Sequence, residues 1–216
     1  MTYIEYNTSK FPFAELYEKL VGIDNLNLIH TSKLNTYTKV FSREKDQSSI
    51  FHKIYYDNFE TIFNKTYEKF LEECIRPLYN EPIVYQTIPT FRIHLPGNIA
   101  VGEFHKDKWY RDADWHEQVQ EKNFFLPFTD AYDENSIWVE SVEDKADYSP
   151  MQVKYGQCVK WDGVNLTHGN KTNDTIHTRV SVDFRIIKLS NYVPSMHGSI
   201  NTKSQFAIGG YYKLMD

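Results

Sequence analysis

The chain has 216 residues, of which 41% are hydrophobic and 25% charged, with a formal net charge of −5. That length suits one substantial core, so we predict a single domain over residues 1–216. The acidic balance disfavours a nucleic-acid or anionic-membrane surface, because either needs a basic face. No apolar run approaches the roughly 18 residues of a membrane span, and MTYIEYNTSKFPF lacks the features of a secretory signal. We expect a cytoplasmic protein with no membrane or nucleic-acid partner.

Residues 1–81 are predicted to be mostly helical. A helix is predicted over residues 13–21 and is closed by Gly22. A longer one is predicted over residues 48–78, where apolar side chains recur every three or four positions. Pro77 and Pro82 end it, because proline cannot continue a helix. The wide apolar face predicts that this helix packs against the rest of the domain.

After Pro82 the pattern changes to short strands. The segment IVYQTIPTFRIHLPG alternates and is rich in β-branched and aromatic residues. Further strands are predicted at residues 100–104, 123–128, 136–140, 151–155, 157–161, 165–168 and 178–188. Consecutive strands without intervening helices favour an antiparallel sandwich or barrel. We therefore predict a mainly β fold with N-terminal helices: a double-stranded β-helix (jelly roll or cupin-like) over residues 82–190, braced by α-helices, with residues 191–216 as a C-terminal extension.

The segment GEFHKDKWYRDADWH raises the question of a metal site. His105 and Asp107 are two residues apart, so on an extended backbone both side chains point the same way and can reach one ion. A mononuclear iron site for oxygen chemistry needs three protein ligands on one side, with other positions open. His168, beside the turn residue Gly169, is the candidate third ligand. A His-x-Asp triplet alone is weak evidence, and a lone histidine is more often structural.

A second pattern lies eleven residues beyond His168. There Arg179, Ser181, Asp183 and Arg185 alternate with apolar residues, so one face of a strand over residues 178–188 is polar. If that face meets solvent, the strand is an ordinary amphipathic one. If it faces the interior, Arg179 needs a carboxylate partner, and a dicarboxylate co-substrate can supply one bidentately.

In this order and spacing, the two patterns resemble the iron(II)/2-oxoglutarate-dependent oxygenases. The segments NFFLPFTD with NSIWVE, and YGQCVKWDGVNLTHGN, are similar to the phytanoyl-CoA dioxygenase-like branch. The likeness is closest to oxygenases of streptomycin-biosynthesis type, which share the run Asn-x-x-x-Pro-x-Thr-Asp-Ala-Tyr. It covers roughly residues 90–188, and the helices before Pro82 carry no such signature.

The resemblance implies an Fe(II) centre that uses 2-oxoglutarate and O2. Its metal ligands would be His105, Asp107 and His168. Arg179 and Ser181 would bind the distal carboxylate of 2-oxoglutarate, and Asn123 would bond to the co-substrate or substrate, or alternatively to backbone. Family members that halogenate have a small residue where this chain keeps Asp107, so hydroxylation is favoured over halogenation.

The substrate side of the site is predicted from further polar and aromatic residues. They are Arg92 and His94 on one strand, Trp138 and Glu140 on another, Trp109 and Tyr110 after the metal motif, and Arg185. For several of these an alternative stays open: a solvated strand face for Arg92 and His94, a core position for Trp138, and an ion pair with Asp183 for Arg185. His116 and His177 are predicted at the surface or outside the ligand shell. The set favours a small polar substrate such as a sugar, aminocyclitol, nucleoside or amino-acid derivative.

The competing function is non-oxidative. A cupin-like metal-binding isomerase or a carbohydrate-binding jelly-roll protein can also keep a His-x-Asp and His metal site. Such a protein does not bind 2-oxoglutarate, so it does not need Arg179 and Ser181 at their spacing from His168. For this reason the oxygenase is favoured. Both a monomer and a homodimer are compatible with the sequence.

Overall fold

The computed structural model describes residues 1–35, 48–100, 103–109, 113–195, 197–198 and 204–216. The α-helices in these residues are α1 (Phe13–Val21), α2 (Ile50–Asn58), α3 (Asn64–Phe70) and α4 (Ala113–Val119). The strands are β1 (Thr2–Glu5), β2 (Ile83–Gln86), β3 (Thr90–His94), β4 (Lys122–Pro127), β5 (Trp138–Val139), β6 (Ser149–Pro150), β7 (Gln157–Trp161), β8 (His168–Gly169), β9 (Arg179–Lys188) and β10 (Tyr212–Met215). No helix among the described residues combines the length and apolarity needed to cross a membrane.

The two predicted N-terminal helices are confirmed. Helix α1 ends at Gly22, whose left-handed backbone (φ 68°) lets its N–H donate to the Glu18 carbonyl. Helices α2 and α3 form one helical stretch through the π-helical turn Phe59–Phe63, and a second π turn and a short 3-10 turn extend it to Leu78. The stretch begins at Ser49, whose hydroxyl accepts a hydrogen bond from the His52 N–H.

Two antiparallel sheets make up the rest of the fold. The large sheet has the order β1-β7-β4-β9-β2-β10, and β3 also pairs with β9. The small sheet has the order β6-β5-β8. The prediction of a mainly antiparallel β fold with N-terminal helices is therefore confirmed.

The central strand β9 decides where a site can form. Its apolar residues, such as Val182 and Phe184, face the N-terminal helices and belong to the main core. Aromatic rings fill this interface: Phe124 stacks on Phe184 at 5.0 Å and Tyr55 on Phe91 at 4.7 Å between ring centroids. The alternate residues of β9 point to the opposite face, so the polar side chains face away from the helices.

The structure differs from the predicted elements at several points. Residues 191–216 contribute β10, which pairs with β2 in the large sheet, and β1 pairs with β7. Neither strand was predicted, because four residues show too little alternation to register. Helix α4 was also missed. Residues 103–104 form no strand, and the remainder of the strand predicted at 100–104 lies partly outside the described residues. The strand predicted at 151–155 is reduced to a bridge between Val153 and Ala131.

Candidate metal centre

The two candidate histidine ligands are backbone neighbours. His105 N donates to the His168 carbonyl at 2.8 Å, and His168 N donates to the His105 carbonyl at 2.9 Å. This antiparallel bridge places the two imidazole rings 4.4 Å apart. Asp107 begins a 3-10 turn, and its N–H donates to the Gly163 carbonyl at 3.0 Å. The three candidate ligands, predicted from their spacing and from the family resemblance, are thus brought together by one β-bridge and one 3-10 turn.

The ligand atoms of these residues converge. Asp107 Oδ1 lies 3.7 Å from His105 Nε2 and 3.8 Å from His168 Nε2, and all three ligand atoms lie within 4.8 Å of one another. Each Nδ1 lies against the carbonyl two residues earlier, Glu103 O at 2.8 Å and Leu166 O at 2.9 Å. An Nδ1–H donated there leaves the Nε2 lone pair directed at the cluster. Burial lowers the pKa of His168, which favours the neutral ring that a metal needs.

This donor set fits one divalent ion of intermediate softness. Ligand atoms about 2.1 Å from one ion lie roughly 3 Å apart at a right angle, so Asp107 Oδ1 would move closer to each Nε2 by roughly 0.7–0.8 Å when an ion binds. Two imidazoles and one carboxylate are the protein ligands typical of non-haem Fe(II) oxygenases. The residues present therefore fit the predicted metal.

Asp107 is held by its second oxygen. Oδ2 accepts from Asn123 Nδ2 at 2.8 Å and lies 3.0 Å from Arg185 Nη2. Burial raises the pKa of this carboxyl, but the Arg185 guanidinium, the two histidines and the Asn123 amide hold it well below the usual range. The carboxylate is therefore charged, with Oδ1 left for a metal.

These contacts bear on two predictions. Asn123 was predicted to bond to co-substrate or substrate, or alternatively to backbone. Its Nδ2 bonds to Asp107, but its Oδ1 has no hydrogen-bond partner among the described residues and the side chain lines the pocket, so the predicted contact stays a prediction. Arg185 was predicted to contact substrate or pair with Asp183, but its Nε lies 2.9 Å from Glu121 Oε1 and its Nη2 bonds to Asp107. Asp183 pairs instead with Arg92, whose Nε lies 3.1 Å from Asp183 Oδ2.

Arg179 and Ser181 lie on the interior face of β9. Arg179 is 1% exposed and Ser181 0% exposed, so the alternative of a solvated polar face is wrong. The Arg179 guanidinium carbon lies 5.7 Å from the centre of the Phe125 ring. The Ser181 hydroxyl has no hydrogen-bond partner among the residues that the structure describes. A buried hydroxyl and a buried guanidinium on one face of β9 suit the binding of a carboxylate, since both can donate hydrogen bonds.

A pocket between the two sheets joins the metal ligands to this arginine. Its lining includes the candidate ligands, the polar face of β9, and residues in or next to the small sheet. The full set is His105, Asp107, His168, Arg179, Asp183, Arg185, Arg92, Asn123, Trp161, Glu103, Ile137, Gly169 and Asn170. A larger cavity of about 270 Å³ lies beside α4 and is lined by Lys108, His116, Glu117, Gln120, Glu121, Lys122, Val164 and Asn165. We place the site in the first pocket, because the three ligand atoms converge there.

Of the predicted substrate residues, Arg92 lines this pocket but His94 does not. His94 is on the same face of β3, yet Nε2 lies 2.8 Å from the Asn98 carbonyl and Nδ1 3.1 Å from the Asn135 carbonyl. Burial, with a contribution from Arg179, lowers the pKa of His94 to about 3, so the ring is neutral. A neutral ring can donate to only one of these carbonyls, and Asn98 is the nearer. We therefore replace the predicted substrate contact by a structural role.

The aromatic predictions also change. Trp109 is 60% exposed and Trp138 is half-buried under Lys171, whose Nζ lies 3.2 Å from the ring centre; neither lines the pocket. Tyr110 lies outside the described residues. His116 was predicted at the surface or outside the ligand shell; its side chain is buried and it is not one of the three converging residues, so the second alternative holds. His177 is half-buried and lies 2.7 Å from the Tyr132 hydroxyl through its Nδ1.

Gly163 is a supporting residue that the sequence pattern marked only as a turn. A Cβ added there would lie 2.9 Å from the Asn123 amide and from the Trp161 ring. Both are neighbours of the candidate metal ligands, since Asn123 bonds to Asp107 and the Trp161 ring packs edge-on at 4.7 Å from that of His168. Glycine at this position therefore permits the close approach that holds Asp107.

Glu140 is a second supporting residue, and it was predicted to line the mouth of the site. It is buried instead, where Oε1 accepts from the Thr167 N–H at 2.6 Å and Oε2 from the Ala146 N–H at 3.1 Å. Burial raises the pKa of Glu140, but these backbone N–H groups outweigh it and lower the pKa from 4.5 to about 2. Glu140 thus fixes the backbone next to His168.

We expect Glu140→Gln to lower the free energy of unfolding at pH 7 by about 2 kcal/mol, because the amide cannot accept from both N–H groups through charged oxygens. Folding lowers this pKa, so the stabilisation is complete above pH 4.5 and is lost as the pH falls towards about 2. The difference between wild type and variant in urea unfolding should therefore shrink between pH 7 and pH 3. Exposed Glu72→Gln is the control and should change little. A constant difference across this range would contradict the assignment.

Comparison with known proteins identifies a relative. No protein-family model matches the chain. The streptomycin biosynthesis protein StrG of Streptomyces griseus is 33% identical over 214 residues, covering 98% of this chain and 96% of StrG.

Solved structures with detectable likeness include SnoK, a non-heme alpha-ketoglutarate-dependent carbocyclase from nogalamycin biosynthesis, with TM-score 0.46, 9% identity, and coverage of 100% of this chain and 91% of SnoK. AviO1 from Streptomyces viridochromogenes Tue57 gives TM-score 0.45 and 14% identity over 88% of this chain and 89% of AviO1. Scores below 0.5 give these two likenesses no weight for function. The sequence match does carry weight, because its identity extends over nearly the whole of both proteins. The chain belongs to the family of the streptomycin biosynthesis protein StrG.

Proposed function

We propose that this protein is an Fe(II)- and 2-oxoglutarate-dependent dioxygenase that hydroxylates a small polar metabolite. The observation that carries the proposal is the convergence of His105, Asp107 and His168 in one pocket with the buried Arg179. The kinship with a protein of streptomycin biosynthesis supports a role in small-molecule biosynthesis. Two antiparallel sheets that enclose the pocket are compatible with a double-stranded β-helix of the phytanoyl-CoA dioxygenase-like branch.

His105, Asp107 and His168 would hold the Fe(II). When bound, the iron supplies oxidation by O2: one oxygen atom enters a substrate C–H bond, and the other enters succinate as 2-oxoglutarate loses CO2. The protein's own contribution is orientation. Both imidazoles are fixed through Nδ1 and the carboxylate through Oδ2, so three ligand atoms face one point without needing to be ordered on binding.

Arg179 and Ser181 would hold the distal carboxylate of 2-oxoglutarate. The guanidinium offers two parallel N–H donors and the hydroxyl a third, and both side chains are buried, where charge-assisted hydrogen bonds are strong. Phe125 lies beside the guanidinium and excludes water from it. A dicarboxylate is thus the co-substrate that best suits this end of the pocket.

The substrate would meet the remaining polar lining. The Arg92–Asp183 pair is the more accessible charged pair, each side chain being 23% exposed, and Asn170 lies nearby in the same pocket. Such a lining offers both donors and acceptors to a hydroxylated or amino-bearing small molecule. These contacts support a polar substrate.

The test is anaerobic addition of Fe(II) and 2-oxoglutarate to the purified protein. We expect a weak visible charge-transfer band, and slow succinate release once air is admitted. His105→Ala should lose both, whereas His177→Ala, a histidine outside the pocket, should keep both. If the wild-type protein shows neither the charge-transfer band nor succinate release, the assignment as a dioxygenase is wrong. Metal binding without either signal would favour the cupin-like alternative.

A further inference from the structure

A chain of polar contacts runs inward from the candidate metal ligand Asp107 to residues that are fully buried. Arg185 Nη2 lies 3.0 Å from Asp107 Oδ2, and Arg185 Nε lies 2.9 Å from Glu121 Oε1. The Tyr212 hydroxyl then donates to Glu121 Oε2 at 2.5 Å. Glu121 and Tyr212 are both fully buried. A buried carboxylate that forms an ion pair with a guanidinium and accepts a hydrogen bond from a tyrosine is costly to desolvate, so its presence calls for an explanation.

The strand order explains how these groups meet. Arg185 is on β9 opposite Asn123 of β4, so the two side chains share a face and both reach Asp107 Oδ2. Glu121 immediately precedes β4, and Tyr212 begins β10 at the far edge of the sheet. The contacts therefore connect the C-terminal strand with the metal ligand, through residues to which the proposed reaction gives no role.

We propose that Glu121, held by Tyr212, is a positioning residue that shares the Arg185 guanidinium with Asp107 and so keeps Asp107 available as a one-oxygen metal ligand. The inference rests on the metal site of the proposed function. An arginine facing Asp107 alone would compete with a divalent cation for the carboxylate. When Glu121 pairs with the same guanidinium, it neutralises part of the Arg185 charge. Arg185 then attracts Asp107 less strongly, and Asp107 can bind the cation.

The geometry of arginine suits this division. A guanidinium presents Nε and Nη2 along one edge and can face two carboxylates at once, whereas a lysine ammonium is a single point of charge. Asp107, Glu121 and Arg185 together carry one net negative charge, which favours a divalent cation beside them. Replacing Glu121 by neutral glutamine removes this net negative charge. The Arg185 guanidinium then pairs with Asp107 as its one remaining carboxylate in this set.

The test compares Co(II) binding by apo protein in wild type and Glu121→Gln, using the visible d–d spectrum and anaerobic equilibrium titration. We expect Glu121→Gln to weaken Co(II) binding about 10-fold, as is typical when the partner of a metal ligand is disturbed. Its d–d spectrum should also change, because Asp107 binds differently. Arg185→Lys should weaken binding as well, since it cannot hold both carboxylates.

Glu68→Gln is the matched control. Glu68 also accepts from a tyrosine hydroxyl, that of Tyr85 at 3.1 Å, and pairs with Lys213 of β10 at 2.9 Å, but it has no link to Asp107. It should bind Co(II) as wild type does. If Glu121→Gln does not fold, Tyr212→Phe decides, with an expected loss of about 3-fold. Wild-type affinity and spectrum in the folded variant would overturn the inference and leave the proposed function intact, whereas a wild type that binds no Co(II) would remove both.

Discussion

Asp107→Ala should abolish metal binding and lower the free energy of unfolding by about 3 kcal/mol. The first effect follows from loss of the one carboxylate among the three converging ligands. The second follows because Arg185 and the Asn123 amide lose their shared acceptor inside the protein, and a buried charge that loses one partner is costly. Anaerobic Co(II) titration measures the first, and urea unfolding of apo protein measures the second.

Asp183→Ala is the control for this experiment. Asp183 also pairs with an arginine in the pocket, but both side chains are 23% exposed and neither is a candidate ligand. We expect a loss of about 1 kcal/mol or less, with Co(II) affinity unchanged. Metal binding retained by Asp107→Ala would show that Asp107 is not a ligand. Unchanged stability would show that the Arg185 pair contributes nothing to the fold.

The convergence of the three candidate ligands and the burial of Arg179 could be predicted from local patterns together with the family resemblance, which supplied His168. His105 and Asp107 are two residues apart, and the alternation of β9 indicates which side chains share a face. The supports of those ligands carry no such signal. Arg185 reaches Asp107 across 78 residues, and Tyr212 reaches Glu121 across 91. Only the order of strands in the sheet brings them together.

The same limit explains the ion pair that was predicted wrongly. Asp183 and Arg185 share a face of β9, which made them a natural pair. Their actual partners come from neighbouring elements, Arg92 on β3 for Asp183 and Glu121 beside β4 for Arg185. Alternation predicts which face a charge lies on, but the partner depends on which strands lie alongside. Edge strands β1 and β10 were missed for a related reason, since their four residues are defined by pairing more than by pattern.

Arg179→Met is expected to raise the Kd for 2-oxoglutarate about 100-fold while Co(II) affinity stays within about 3-fold of wild type. Two charge-assisted hydrogen bonds lost from a buried site account for an effect of this size. Methionine fills the buried position without leaving a charge there, so the variant should fold. Arg179→Lys keeps the positive charge but loses the bidentate geometry. Its Kd for 2-oxoglutarate should lie between those of wild type and Arg179→Met, at about 10-fold above wild type. Titration of the charge-transfer band with 2-oxoglutarate measures each Kd.

Arg92→Met distinguishes this assignment from the opposite orientation of the pocket. Both arginines line it, but Arg92 is tied to Asp183 and partly exposed, whereas Arg179 is buried beside the Ser181 hydroxyl. The distal carboxylate of 2-oxoglutarate must be shielded from water while the keto-acid end of the molecule binds the metal. The buried arginine, Arg179, meets this requirement. Arg92→Met should therefore leave the Kd for 2-oxoglutarate unchanged and alter the response to substrate alone. The opposite result would be that Arg92→Met weakens 2-oxoglutarate binding and Arg179→Met does not. In that case the co-substrate would lie at the exposed end of the pocket, beside Arg92, and the substrate would lie beside Arg179.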